Sequence, residues 1–238
     1  MQIGALGDIH GAFDAVQRIM ARHPDVHFWV QVGDVAANDG RYFSPLRPLY
    51  WIKGNNEDYD VVTRCMTGDS PAPTLRYLPN GGPYTVGPWR VAALGGTFAP
   101  SWYRSPASVL PPARGHRTAS ALMKLGKSRD DKRRHFVRDE VVRCKGLVDV
   151  DLFLTHEAPR PFYPAGARID AGKTVINEVL TTMRPRLHLF GHHHEFTDSM
   201  RHDVRSIGLD VVTRSYALID IQTMKCERCE TDAVDGVE

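Results

Sequence analysis

Seven side chains able to ligate a metal stand at the ends of short apolar runs. Asp8 and His10 follow the run 2–6, Asp34 follows 26–32 and Asn55 follows 49–53. His156 follows 151–154, and His192 and His194 follow 187–190. The two pairs spaced i, i+2 can each face one way in an extended turn. Together they offer two carboxylates, one amide oxygen and four imidazoles. One metal takes roughly four to six such ligands, so seven suit two metals when a carboxylate bridges them. Imidazole and carboxylate without thiolate favour Mn²⁺, with Fe or Zn²⁺ as alternatives, over Ca²⁺. Two such cations about 3.5–4 Å apart hold a bridging hydroxide at neutral pH and clamp a phosphoryl group for in-line displacement. A helix starting near Gly11 would aim its free N–H groups at the same place.

These residues need rigid carriers. Each run is β-branched or aromatic and closes in a polar turn, most of them containing glycine, which predicts a strand. Between the first two, Phe13, Val16, Ile19 and Met20 recur at helical spacing over 12–22, and His23-Pro24 stops the pattern. Val175, Ile176, Val179, Leu180 and Met183 form a second helical stripe that ends before Pro185. Alternating strands and helices predict an α/β layered fold. A hairpin is expected over 84–94 around Gly87-Pro88. Another is expected from 204–212 to 216–222 around Thr213-Arg214. Hairpins pair antiparallel, so the sheets should be mixed. No internal repeat is present. The ligand-bearing domain is expected over 1–222, with 223–238 as a polar, acidic, loose tail.

Composition narrows the class. Of 238 residues, 42% are hydrophobic and 24% charged, the balance of a soluble globular protein. Four cysteines are too few for a disulfide framework. The start has no basic region or long apolar run, and no stretch is long enough to span a membrane. A cytoplasmic protein without a membrane partner is expected; oligomeric state is not legible. Charge is uneven. The segment 101–145 carries twelve Lys or Arg against four Asp or Glu, a net +8 in a chain whose total is +2. It reads either as a solvated insertion or as a basic cap over a polyanionic substrate. A basic helix over 130–144 would turn Phe136, Val137, Val141 and Cys144 inward.

The motifs Gly7-Asp8-Ile9-His10-Gly11, Gly33-Asp34, Gly54-Asn55-Asn56-Glu57, Thr155-His156 and Gly191-His192-His193-His194 resemble, in order, those of calcineurin-like metallophosphoesterases. The resemblance runs from residue 8 to 194. It implies a four-layer αββα sandwich with two mixed β-sheets and both metals at the strand ends. It implies one metal on Asp8, His10, Asp34 and His194. The other would sit on Asp34, Asn55, His156 and His192, with Asp34 as the bridge. The implied activity is hydrolysis of P–O bonds by a metal-bridging hydroxide.

The layout from Gly81-Gly82 through Gly95-Gly96-Thr97-Phe98, Arg133-Arg134-His135-Phe136 and on to Pro159 is similar to RNA lariat-debranching enzymes, which cut a phosphodiester branch. Those usually have Cys where this chain has Asp8. In the wider family the third motif usually continues with His, which helps to protonate the leaving group. Here Asn56 stands there. It can donate a hydrogen bond to a phosphoryl oxygen but cannot give up a proton, and general-acid help contributes about 10²–10⁴-fold. With the basic segment and this layout, phosphodiesters of nucleotides or nucleic acid are the expected substrates. A phosphomonoesterase and a catalytically silent scaffold are the alternatives. His116, Arg117 and Arg160 are candidate substrate-binding residues. His116, His135 and His193 are candidate substitute acids. His193 is the poorest of them, since on an extended strand it would point away from its two neighbours. Cys226-x-x-Cys229 is expected to be neither a zinc nor a redox site.

Overall fold

The computed structural model describes residues 2–112, 131–220 and 222–231. Its first sheet is built from β1 (Gln2–Leu6), β2 (Trp29–Gln31), β3 (Leu49–Trp51), β4 (Leu75–Tyr77), β11 (Ser215–Asp220) and β12 (Cys226–Glu230), in the order β12-β11-β1-β2-β3-β4. The second contains β5 (Gly81–Val86), β6 (Trp89–Leu94), β7 (Leu152–Thr155), β8 (Leu187–Phe190), β9 (Thr197–Arg201) and β10 (Val204–Gly208), in the order β5-β6-β7-β8-β10-β9. In the first sheet β1 to β4 run parallel to one edge and β11 and β12 pair antiparallel beyond β1, whereas the second sheet has a parallel centre, β6-β7-β8-β10, flanked by antiparallel β5 and β9. Helices α1 (Phe13–Arg22) and α2 (Tyr59–Cys65) cover the first sheet. Helices α3 (Arg138–Lys145) and α4 (Thr174–Met183) cover the second.

Strand periodicity explains the four layers. On β1, β2, β6, β7 and β8 every second side chain enters the central layer between the sheets, among them Ile3, Val30, Val91, Leu154 and Leu189. Their neighbours Leu6 and Trp29 turn outward to α1 and α2, and Ala92 and Phe153 turn to α3 and α4. Parallel strands buried on both faces must be apolar throughout, as these runs are. Among the described residues no helix is long and apolar enough to cross a membrane.

A few buried polar residues, Gln31, Thr155, His188 and Ser206, break that rule, and His188 is the largest ring among them. His188 on β8 is fully buried, stacked on Phe153 and Phe190. Thr155 donates its hydroxyl to the Glu157 carbonyl, so His188 Nε2 donates to Thr155 Oγ1 at 2.9 Å. Its Nδ1 then accepts from Ser206 Oγ at 3.0 Å. Burial pushes the ring down to about 3. The folded value lies below the unfolded one, so this stability is present above pH 6.5 and is lost as pH falls towards 3. Between pH 6.5 and 4 the loss is about 3 kcal/mol. Urea denaturation of wild type and His188→Gln at both pH values checks this: the variant should have the shallower acid limb, and equal limbs would refute it.

Three expectations are corrected. The run 204–212 does not pair with 216–222. β10 pairs instead with β9 in the second sheet, and β11 pairs with β1 in the first. The turn is at His202-Asp203, where both φ angles are positive (49° and 62°), as a tight twisted hairpin turn requires. Secondly, 223–238 is not simply a loose tail, because Cys226–Glu230 forms edge strand β12. On that strand Cys226 faces the central layer and Cys229 faces the α1 side, so the two thiols lie on opposite faces. Thirdly, the basic helix begins only at Arg138. Before it, the chain is pinned by Lys53, whose Nζ donates to the carbonyls of Arg133 (2.8 Å) and His135 (3.0 Å). Phe136, Val137, Val141 and Cys144 are buried as expected.

Candidate metal centre

The loops after β1, β2 and β3 of one sheet and after β7 and β8 of the other meet at one end of the sandwich. All seven sequence-predicted ligands converge there. His194 Nε2 lies 3.0 Å from Asp8 Oδ2 and 3.2 Å from His10 Nε2. Asp34 Oδ2 lies 3.8 Å from His10 Nε2 on one side and 3.7 Å from His156 Nε2 on the other. His156 Nε2 is 3.0 Å from Asn55 Oδ1. The His192 ring packs 4.8 Å from that of His156, and its backbone N–H donates to Asp8 Oδ1. His156 Nδ1 donates to the Val32 carbonyl at 2.8 Å, which fixes its tautomer and leaves Nε2 for a cation.

This donor set fits divalent cations. Asp8 and Asp34 are 1% and 2% exposed, and burying two carboxylates together is unfavourable without positive charge between them. Two groups of ligand atoms, Asp8·His10·His194 and Asp8·Asp34·His156, are each compact enough for one ion. Burial opposes charge on Asp8, but hydrogen bonds to His10 and His194 and the His156 charge hold its carboxyl well below the usual range. Burial likewise opposes charge on His10 and His156, yet the carboxylates raise both. Burial first, and then the His156 charge, push His192 down to about 2, so it is a neutral ligand.

The backbone here is under tension. His10, Asp34, His192 and His194 all have left-handed φ values, 47°, 64°, 73° and 54°. Asp and His tolerate that region better than most residues, and such strain concentrates at functional sites. Glycine is required beside them. A Cβ on Gly54 would lie 2.0 Å from Asp34 Oδ1, and one on Gly33 (φ 104°) would lie 2.5 Å from His156 Nδ1.

Two buried polar residues hold these loops, and sequence reasoning assigned neither a role. Gln31 donates to the carbonyls of Gly7 (3.1 Å) and Gly33 and accepts from Gly33 N–H, tying the first two ligand loops together. Glu57 accepts from Val35 N (2.9 Å), Ala36 N (3.2 Å), Gly54 N (3.4 Å) and Tyr42 Oη (2.8 Å), tying the second loop to the third. The signal for Gln31 was present, an amide inside an apolar strand. Burial, with the Asp34 charge, pushes Glu57 up to about 7, against four donors that favour its ionised form. Glu57→Gln sets an NH₂ group against those donors. The expected result is a metal affinity weaker by about 10–100-fold, measured by calorimetric titration of the metal-free protein. Unchanged affinity would remove Glu57 from the site's support.

The remaining candidates divide. Asn56 is at the centre: its N–H donates to Asp34 Oδ1 at 2.7 Å, and its Nδ2 is 3.5 Å from His10 Nδ1. Arg160 is not among the ligands but on a neighbouring wall, with Nε 2.7 Å from Asp170. His116 and Arg117 lie outside the described residues. His135 is held by Thr97 Oγ1 at 3.0 Å, and burial, reinforced by Arg134, pushes it down to about 4, so near neutral pH it has no proton to give. His193 does not point away along a strand, because its two neighbours adopt left-handed turns. It stacks on Phe162 at 4.6 Å and abuts His192.

A family model for calcineurin-like phosphoesterases matches residues 1–196. The chain belongs to that family. As a calcineurin-like phosphoesterase it is a metal-dependent hydrolase of phosphate esters, and the clusters described above are the candidate ligands for its metal ions. No protein of curated function matches the sequence. Among solved structures, TT1561 of Thermus thermophilus is similar over 97% of this chain and 99% of its own, at 14% identity and a TM-score of 0.60. GAP50, the anchor in the inner membrane complex of Plasmodium, is similar over 99% and 90%, at 12% identity and 0.51. A putative 5'-nucleotidase from Staphylococcus aureus is similar over all of this chain and 56% of its own, at 13% identity and 0.52. Identities this low speak for the fold of this calcineurin-like phosphoesterase and leave its substrate to the site itself.

Proposed function

We propose that the chain hydrolyses phosphodiesters of nucleotides or nucleic acid at a centre of two divalent cations, with Mn²⁺ the preferred metal. The reading rests on Asn56, pinned by its own N–H to Asp34 where a proton donor would otherwise stand, together with the net +8 of segment 101–145, which suits a polyanionic substrate. Asn56 donates to a phosphoryl oxygen and stabilises developing charge. It cannot protonate an alkoxide, so acidic leaving groups are favoured, and a nucleotide or nucleic-acid diester, which releases a sugar alkoxide, would need a bound cation to stabilise that departing oxygen. The position of Asp34 Oδ2 between His10 and His156 supports a bridging carboxylate. When bound, the cations supply Lewis-acid charge and an activated water. Asp8, His10, Asn55, His156, His192 and His194 hold them, and Gln31 and Glu57 keep those ligands in place. The complete ligand set speaks against a silent scaffold, which need not keep all seven.

The test is an assay of metal-stripped protein with Mn²⁺ restored, comparing bis-p-nitrophenyl phosphate with p-nitrophenyl phosphate. Mn²⁺-dependent turnover that favours the diester is expected. Turnover of the monoester alone would replace this reading with a phosphomonoesterase, and no turnover with any divalent metal would favour the scaffold.

A further inference from the structure

Beside the metal centre lies a cleft of about 340 Å³, within the range of small-molecule sites. Its walls include Phe98, Tyr103, Arg160, Lys173, Thr174 and Glu178. Phe98 and Tyr103 are half-buried and pack edge to face, 5.2 Å between centroids. One residue joins this cleft to the ligands. Glu157, next to His156, accepts from Phe98 N–H at 2.9 Å with Oε1 and faces Lys173 Nζ at 3.3 Å with Oε2. Glu157, His192 and His193 place one polar atom each within 4.8 Å of one another. The aromatic pair is thus fixed to the loop that carries a metal ligand.

The charge balance of the cleft tells what it takes. Lys173 faces Glu157, Arg160 holds Asp170 at 2.7 Å, and Glu178 holds Lys145 at 3.3 Å. Each charge on the wall already has its counter-charge, so the cleft does not call for a second phosphate. It offers aromatic surface, a guanidinium plane and polar side chains. Arg160 is also held to α4 by Asn177, whose amide takes both its backbone N–H and its carbonyl at 2.8 Å. A second cleft of about 380 Å³, walled by His193, His194 and Phe196, suits a base less well: the Arg228 guanidinium already lies 5.2 Å over the Phe196 ring.

We infer that the Phe98–Tyr103 cleft receives the nucleoside arm of the substrate, with the base against the aromatic pair and its polar edges towards Arg160, Lys173 and Thr174. This rests on the diester reading above and names the ester arm that reading left open. Aromatic side chains and Arg planes hold bases without requiring a particular sequence.

Two measurements on Mn²⁺-loaded protein test it. Calorimetry compares the binding of thymidine 5'-monophosphate with that of inorganic phosphate. Kinetics compare p-nitrophenyl thymidine 5'-phosphate with methyl p-nitrophenyl phosphate, which share a leaving group and differ only in the other arm. The nucleoside compound should be preferred by about tenfold or more in each pair. The preference should shrink towards one in Tyr103→Leu and in Arg160→Ala, two partly exposed positions chosen in case Phe98→Leu perturbs packing. Equal treatment of each pair by wild type, or a preference that survives all three substitutions, would overturn the proposal. If methyl p-nitrophenyl phosphate is cleaved without any nucleoside preference, the cleft assignment alone fails. If only monoesters are cleaved while thymidine 5'-monophosphate still binds through Phe98 and Tyr103, the diester reading fails and the cleft assignment stands.

Discussion

Asn56→His should raise turnover of alkyl phosphomonoesters by about 10²–10⁴-fold and leave bis-p-nitrophenyl phosphate nearly unchanged. The asymmetry follows from the leaving group. An alkoxide needs a proton as it departs, whereas p-nitrophenolate is stable as an anion. Residue 56 is well placed to deliver the proton, because its N–H on Asp34 Oδ1 keeps it against the proposed bridge. The introduced imidazole would sit beside His10, whose Nδ1 is 3.5 Å from the present amide. The pH profile should change with the rate, and a new acid-side requirement should appear for alkyl esters only. Parallel assays of both substrate classes from pH 5 to 9 measure this. If the rate on every ester stays as it is in wild type, Asn56 does not set leaving-group preference.

Asp34→Asn should reduce turnover by roughly 10³-fold or more and lower the bound metal from two ions to one or none. The rate effect is the several kcal/mol of charge stabilisation that a metal centre supplies, at about 1.4 kcal/mol for each tenfold. Asparagine is the sharper substitution than alanine. It accepts the left-handed backbone at this position, where φ is 64°, and keeps an oxygen for the Asn56 N–H. What it removes is the charge between His10 and His156. In the metal-free variant both imidazoles should titrate at lower pH than in wild type, because Asp34 helps to raise each. Elemental analysis, turnover and histidine NMR titration read the three consequences separately. Two tightly bound metals and full activity in the variant would show that Asp34 is not the bridge.

Much of this site was legible because the two periodicities do different work. Apolar strands announce themselves by β-branched and aromatic runs, and a ligand-type residue just after each run marks the end at which the strands deliver side chains. Hence Asp8, Asp34, Asn55, His156 and His192 could be placed from the chain alone. The hairpin at His202-Asp203 was hidden, because neither residue is a glycine although both adopt left-handed φ. Strand β12 was hidden because its side chains are polar and its order comes from backbone pairing with β11. Gln31, Glu57 and Glu157 were hidden as supports because their roles depend on partners between two and 59 residues away in sequence. Which polar residue becomes a strut depends on loop packing, and that is a tertiary property.

The candidate ligands come from the ends of strands in both sheets: Asp8, His10, Asp34 and Asn55 from the first, His156, His192 and His194 from the second. A bound cation would therefore be a rivet through the sandwich, fastening two slabs that adhere through the apolar layer between them and a few polar bonds such as His156 Nδ1 to the Val32 carbonyl. Adhesion and metal grip are then linked: bound metal favours the docked sheets by the same free energy by which docking favours the metal. A truncation deep in that layer, at Leu154 or Val30, would register at the metals, far from any atom removed. A chelator, conversely, would act on the protein as a solvent for its seam.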